Sequence, residues 1–263
     1  MGEKEVTTFD ELFDFVQSLS WKKYLQTDNI SIKAISKTSQ LSSERTIQSI
    51  VHKAILQSYS PSQDDHFSEE IMVYLEHNHA KVMLNTSGVS LHQRGYRTQA
   101  GIAPLKENIA AAIVLLAGWK FKTPLIDPCC GSGTIPIEAA MIAKNIAPGL
   151  QRTFAFQYFK NYDRVLREQL KQQAQEKIFT DHTYLITGRD CDTSVLQLAK
   201  KNAELAGVGE VIQFQKQELL SGVILYPGER YLITNPPYGK RIGDDASLFP
   251  LYKQLAHYFK DAQ

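Results

Sequence analysis

The sequence predicts an α/β chain in two parts, a small α+β section followed by a doubly wound parallel sheet. Three observations lead there. After about residue 104, short apolar runs (TPLID, YLITGRD, EVIQFQ, RYLIT) alternate with amphipathic helical patterns, as strands paired in parallel and covered by helices do. Ahead of residue 90 the order is helix, strand, helix and a strand pair, which lacks that alternation. Between them runs a polar, glycine-containing link, LHQRGYRTQAGIAP. These shifts divide the chain into a section 1–90, a link 91–103 and a section 104–263.

The elements follow in order. Thr8-Phe9-Asp10-Glu11 has capping-box spacing, and Phe9, Leu12, Phe13, Val16 and Leu19 recur at helical intervals, so a helix runs to about Ser20. ISIKAIS from Ile30 alternates like a half-buried strand. Ile47, Ile50, Val51, Ala54 and Ile55 form one face of a helix that starts near Ser43. IMVYLE and AKVMLNT are strands joined at His77-Asn78-His79, whose histidines read as turn residues because no third metal ligand is near. PLKENIAAAIVLLAGW is an apolar helix stopped by Gly118. The strands and helices of the second section follow, with Gly207 ending the helix TSVLQLAKKNAELAG. Within it, QRTFAFQYFKNYDRVLREQLKQQAQEK is an aromatic segment and then a charged helix expected to face solvent. LFPLYKQLAHYFK is the last helix; an open sheet ending there implies a partial chain.

Composition narrows the function classes. At 263 residues and 43% hydrophobic content, the chain can bury a sizeable core. No apolar run is long enough to span a membrane, and MGEKEVTTFDELF is too acidic for a secretory signal. Cys129, Cys130 and Cys191 form neither a C-x-x-C pair nor a zinc spacing, so no metal site and no disulfide framework is expected, and a cytoplasmic location is. The net charge of +1 decides nothing, but local clusters are basic. Lys22, Lys23, Lys33, Lys37, Arg45 and Lys53 face only Asp28 and Glu44 between Trp21 and Ser60, and Lys81, Arg94, Arg97 and Lys106 stand without an acid. Such clusters either track a phosphate backbone or form a solvated face.

LIDPCCGSGTIPIEAA carries the clearest chemistry. Asp127 ends a strand, a Gly-Ser-Gly turn follows, and a helix starts near Thr134. Ligands of open α/β sheets bind at the carboxyl ends of strands, and Gly131 and Gly133 would let one approach the backbone. A P-loop would need a Gly-Lys-Ser/Thr ending, which is absent, and Pro136 occupies the third glycine of a dinucleotide fingerprint. That leaves a nucleoside without a pyrophosphate, and a strand-tip carboxylate attracts an ammonium group; S-adenosylmethionine carries both. Asp190, at the tip of YLITGRD, can accept bonds from ribose hydroxyls, and Asp192 caps the next helix.

DPCCGSGT, GRDCD and TNPPYG resemble the successive motifs of S-adenosylmethionine-dependent methyltransferases that act on exocyclic or amide nitrogen. With LHQRGYR, APLKENIAAA and RTFAFQYF, they are similar to the bacterial 23S rRNA guanine-N2 methyltransferase family, often labelled N6-adenine DNA methylases. SWKKYL, ISIKAIS and RTIQSIVHKAIL resemble the later part of a THUMP RNA-binding domain. The resemblance implies a Rossmann-like methyltransferase sheet behind a THUMP-like section, with the start of the THUMP-like section and the last strands of the methyltransferase sheet missing. It implies cofactor contacts at Asp127, Pro128, Cys129, Gly131, Gly133, Thr134, Asp190, Cys191 and Asn235, and an adenine contact at Gln217, with Glu218 as its rival. RNA, expected to be 23S rRNA, would meet Lys33, Lys37, Arg45, Arg94 and Arg97.

Catalysis would fall to Asn235, Pro236, Pro237 and Tyr238. In the family resembled, Asn235 Oδ1 and the Pro236 carbonyl accept hydrogen bonds from the target amino group. Each proline biases its predecessor towards an extended backbone, aiming both acceptors in advance. Tyr238 would stack on a base swung out of its helix. Two other readings are N6-adenine methylation of DNA, which the same tetrapeptide serves, and a non-catalytic RNA-binding module that retains the cofactor fold.

Overall fold

The computed structural model describes residues 1–59, 68–97, 105–180, 182–221, 230–237 and 245–260. The chain divides into two compact units, Met1–Ser90 with Thr153–Glu168, and Leu91–Arg152 with Gln169–Gln263. Among the described residues no helix is long and apolar enough to cross a membrane.

The first unit sets two helices, α1 (Phe9–Gln17) and α2 (Glu44–Ser58), on a sheet of order β1-β4-β3-β2. Its strands are β1 (Gly2–Glu5), β2 (Ile30–Lys37), β3 (Glu69–Glu76) and β4 (His79–Leu84). The capping box forms as the sequence predicts: Thr8 Oγ1 accepts from Glu11 N at 3.2 Å, and Glu11 Oε2 accepts from Thr8 N at 3.1 Å. β2 and β3 are parallel and β3 and β4 antiparallel, the latter joined at His77 and Asn78. Both turn residues are left-handed, φ 50° and 63°, which suits a tight hairpin to the twist of its strands. Val16, Trp21, Ile47, Val51, Ile71 and Val73 close the core.

Two features were not legible locally. The segment GEKE forms β1 against β4, although nothing in it alternates; Glu3 faces Lys81 at 3.7 Å across the pair. The aromatic segment 153–168, read from sequence as part of the second section, belongs to the first unit. Phe156 N donates to Thr86 O at 3.0 Å and Lys160 N to Tyr24 O at 2.8 Å, so backbone bonds to distant residues decide its place.

The second unit holds α3 (Glu107–Leu116), β5 (Leu125–Asp127), α4 (Thr134–Ala143), β6 (Ile186–Asp190), α6 (Thr193–Leu205), β7 (Ile212–Lys216), β8 (Tyr231–Leu232) and α7 (Asp245–Lys260). A helix α5 (Arg164–Glu176) precedes β6 and buries no residue, as its charge predicts. The sheet order is β7-β6-β5-β8 with every pair parallel. α4 is buried along nearly its whole length, which explains its all-round apolar sequence. Gly118 (φ 67°) and Gly207 (φ 74°) lie just past α3 and α6, in the conformation that stops a helix.

The core of the first unit contains a titratable group. Glu69 is 1% exposed, and burial pushes its carboxyl up to about 7 against backbone bonds from Gln26 and Thr27. A carboxyl raised in the folded state binds its proton more tightly than in the unfolded chain. Its contribution to stability is therefore full below the unfolded value near 4.5 and is lost as pH rises through about 7. Glu69→Gln should remove this loss: amide exchange in β2 and β3 should quicken between pH 5 and 8 in the wild type, after correction for intrinsic rates, and much less in the variant.

Candidate active site

β5 carries Ile126 between Thr187 of β6 and Leu232 of β8, so three parallel strands end side by side. The neighbours of β5 lead on in opposite directions through the sheet, and the gap beyond their carboxyl ends is where such sheets take ligands. Asp127, the last residue of β5, is 1% exposed. Its Oδ1 accepts from Cys129 N at 3.1 Å. Burial pushes its carboxyl up to about 7; the Thr234 side chain and the Cys129 amide oppose this, and the charge of Asp190 adds to it. The Thr234 hydroxyl is near enough to damp the shift, yet among the described residues this buried oxygen makes no hydrogen bond of good geometry. Among the described residues no cation pairs with Asp127. A buried carboxyl without a counter-ion is suited to a cationic ligand.

The turn after β5 has a different restraint on nearly every residue. Cys130 N donates to Arg189 O at 2.8 Å, Gly131 N to Asp190 Oδ2 at 2.9 Å, and Gly133 N to Cys130 O at 2.9 Å. Asn202 of α6, fully buried, donates from Nδ2 to Ser132 O at 3.1 Å. Gly131 (φ 53°) and Gly133 (φ 85°) both need the left-handed region, for different reasons. A Cβ on Gly131 would meet nothing within 4 Å, so open space lies over it. A Cβ on Gly133 would come within 3.1 Å of Ala199 Cβ and 3.2 Å of the Phe214 ring. Gly188, opposite Asp127 on β6, is also required: a Cβ there would stand 2.9 Å from Phe214 and 3.1 Å from Cys130 Sγ.

Asp190 ends β6 two residues beyond Gly188, half-buried; its Oδ1 accepts from Asp192 N at 3.0 Å. Asp192 caps α6 by accepting from Ser194 N at 2.8 Å, as read from sequence. Just past β7, Gln217 N donates to Asp190 O at 2.9 Å, which sets Gln217 beside Asp190, whereas Glu218 is exposed. After β8, Ile233 N donates to Ile126 O at 3.0 Å, and Asn235, Pro236 and Pro237 follow, half-buried. The Asn235 side-chain amide makes no hydrogen bond among the described residues, while Tyr252 of α7 donates from its hydroxyl to Pro237 O at 2.9 Å. Leu255 and Tyr258 of α7 pack with Leu219, Leu232 and Cys129, seating that helix beside the site. Tyr238 lies outside the described residues.

The three thiols are poor nucleophiles here. Burial, then the charges of Asp127 and Asp190, push Cys129 up to about 12 and Cys130 well above its ordinary value, and exposed Cys191 is raised by partial burial and then by the charge of Asp190.

The structure brings Asp127, Cys129, Gly131, Asp190, Gln217 and Asn235 to one rim of the sheet, with Pro128, Gly133, Thr134 and Cys191 in the same turns. It corrects the placement of Arg94 and Arg97, which the sequence assigns to RNA. Their side chains are 13% and 12% exposed and face Glu138 and Glu107, at 3.4 Å and 3.5 Å. Two buried carboxylates draw them inward. Lys33 and Lys37 are exposed on β2, on the sheet face opposite buried Ala34, where Lys33 pairs with Glu70 and Lys37 lies over the Tyr74 ring. Arg45, exposed, sits in the first turn of α2, in the helical layer, away from that face. Sequence reasoning missed Asn202, Gly188, Thr234 and Tyr252. The Thr directly before Asn-Pro-Pro was the one available signal among them.

Comparison with known proteins agrees with this architecture. Residues 94–262 match the family described as UPF0020, RMKL-like methyltransferase domain, and residues 6–85 match the THUMP domain. The Bacillus subtilis protein YpsC, which bears an RNA methyltransferase name, is 36% identical over 96% of this chain and 68% of its own. Ribosomal RNA large subunit methyltransferase K/L of Shewanella baltica is 45% identical over 68% of this chain; the match spans only 26% of that protein. A Listeria monocytogenes structure, described as an N6-adenine-specific DNA methylase by prediction, superposes with a TM-score of 0.90 at 35% identity, covering 98% of this chain and 70% of that one. SMU.472, a methyltransferase by description and solved with SAH, gives 0.86 at 37% identity, over 98% of this chain and 71% of that one.

The two glycines of the turn should respond differently to alanine. Gly131→Ala should cost about 1–2 kcal/mol from its backbone conformation alone. Gly133→Ala should add an overpacking cost of about 1–3 kcal/mol. Urea denaturation of the two variants checks the order; equal losses would contradict the packing argument.

Proposed function

Because the chain belongs to the RMKL-like methyltransferase family and carries a THUMP domain, we propose that it transfers a methyl group from S-adenosylmethionine to an exocyclic amino nitrogen of RNA, guanine N2 of 23S rRNA. The observation that carries this reading is the convergence of Asp127, Asp190, Gln217 and Asn235-Pro236 on one rim, each from the end of a different strand. The RNA names of YpsC and of the K/L relative support the substrate class, and SMU.472 with SAH supports the cofactor.

The residues suit that cofactor. Buried Asp127, beside which no cation lies among the described residues, would take its ammonium group, and the open space over Gly131 would admit the nucleoside close to the backbone. Asp190 keeps lone pairs for ribose hydroxyls beyond those given to Gly131 and Asp192. Gln217 would accept from the adenine amino group without adding a charge. Bound S-adenosylmethionine supplies a methyl already activated by its sulfonium sulfur.

The protein's own task is alignment. A nucleobase amino nitrogen is a poor nucleophile because its lone pair is delocalised into the ring. Asn235 Oδ1 and the Pro236 carbonyl would hold its N–H groups and draw it towards a pyramidal geometry. Pro237, in turn, is fixed through its carbonyl by Tyr252. Tyr238 would stack on the extruded base. Adenine N6 of DNA is the second reading, favoured by the description of the Listeria neighbour; the THUMP domain supports RNA.

Cofactor binding should be linked to protons. Asp127 pairs with an ammonium only when ionised, and burial holds it near pH 7, so affinity should fall from pH 8 to pH 6 with proton uptake by the free site. Calorimetry in buffers of different ionisation enthalpy should show proton release on binding near pH 6.5, absent in Asp127→Asn, whose affinity should be weaker by about 1.5–3 kcal/mol.

Asn235→Ala should retain cofactor affinity and lose about 10²–10³ in transfer rate. Single-turnover transfer to unmodified ribosomal RNA, followed by nucleoside analysis, should yield N2-methylguanosine. N6-methyladenosine would instead move the substrate to the second reading, and full activity in Asn235→Ala would defeat the mechanism.

A further inference from the structure

The motif LHQRGYR has no part in the mechanism above, yet it is among the most firmly held stretches of the second unit. Gln93 O accepts from Arg152 Nη1 at 3.0 Å. Arg94 faces Glu138 of α4, and buried Tyr96 donates from its hydroxyl to the same carboxylate at 3.0 Å. Arg97 makes the contact that reaches the site: its Nη2 donates to Thr134 Oγ1 at 2.6 Å and to Leu105 O at 3.2 Å. Its Nη1 faces Glu107, itself 2% exposed, so the guanidinium is held in place by a buried counter-charge.

Thr134 is the first residue of α4, directly after Gly133. The turn thus has three side-chain restraints on three of its residues: Asp190 on Gly131, Asn202 on Ser132 and Arg97 on Thr134. They come from β6, from α6 and from the motif, so the turn is gripped from separate elements. A planar guanidinium with fixed donors suits such a brace better than a flexible ammonium. We propose that Arg97 is a positioning residue that braces the glycine turn through Thr134, and so sets cofactor affinity, without contacting RNA. The inference rests on the S-adenosylmethionine reading of the turn.

A double-mutant cycle tests it. Thr134→Val keeps the shape and leaves the Arg97–Glu107 pair intact, which guards against misfolding; Arg97→Met removes the donor. Each should raise the Kd for S-adenosylmethionine about tenfold or more, and the double variant should be little worse than Arg97→Met. In Arg97→Met the Kd for unmodified ribosomal RNA and its salt slope should stay as in the wild type. Amide exchange at Gly131–Ile135 in the ligand-free protein should quicken in Thr134→Val. Unchanged exchange and unchanged Kd in that variant would overturn the brace, as would strictly additive effects. A reduced RNA salt slope in Arg97→Met would make Arg97 a phosphate contact instead. Should the wild type bind no S-adenosylmethionine, the cofactor reading fails, and the exchange measurement alone decides the brace.

Discussion

Parallel pairing on both sides of β5 is the constraint on which the rest of the second unit depends. Its backbone binds β6 through Ile126↔Thr187 and β8 through Ile126↔Leu232, and β7 continues the sheet beyond β6. Because all the pairs are parallel, the carboxyl ends of all these strands open on one rim. Residues separated by more than a hundred positions, Asp127 and Asn235 among them, are brought to the same rim by the backbone pairing of their strands. The strands do not contribute equally: Asp190 projects two residues beyond the level of Asp127, which lets its carboxylate reach across to Gly131.

Buried charge sets the second constraint. Three acids of this unit, Asp127, Glu107 and Glu138, are almost wholly withdrawn from solvent, and the chain treats them differently. Glu107 and Glu138 have arginines beside them. Removing one partner of such a pair leaves the other uncompensated, which is costly in a low-dielectric interior. Among the described residues Asp127 has an amide, a nearby hydroxyl and a like-charged neighbour but no cation, and burial pushes its carboxyl up to about 7. The paired acids help to hold the fold; Asp127 is the one that the proposed function assigns to a ligand. Glu69 in the first unit has the same character without a rim around it, and so reads as a feature of stability.

Much of this was legible because it is local. Helix caps at Thr8 and Asp192, glycine stops at Gly118 and Gly207, the His77-Asn78 hairpin and the Gly-Ser-Gly turn are set by a few consecutive residues, and each stands where its pattern points. The rim residues were legible for a related reason: in a parallel sheet, the end of any apolar strand must face the same side. Arg94 and Arg97 were not, since a basic residue in a polar link looks the same whether it meets phosphate or a buried glutamate further along the chain. Asn202 and Gly188 were hidden likewise, one inside an ordinary amphipathic helix and the other inside a strand.

Apart from β1, the sequence by itself determined the kinds of element, their order and which residues stand at the strand ends, because periodicity, caps and turns are short-range properties of the backbone. Only the tertiary structure decided which residues are partners. It paired GEKE with β4, drew residues 153–168 into the first unit, and turned two arginines inward. Those outcomes depend on burial and on hydrogen bonds between distant segments: an edge strand needs a free neighbour, and a buried carboxylate needs a cation, wherever in the chain each is found.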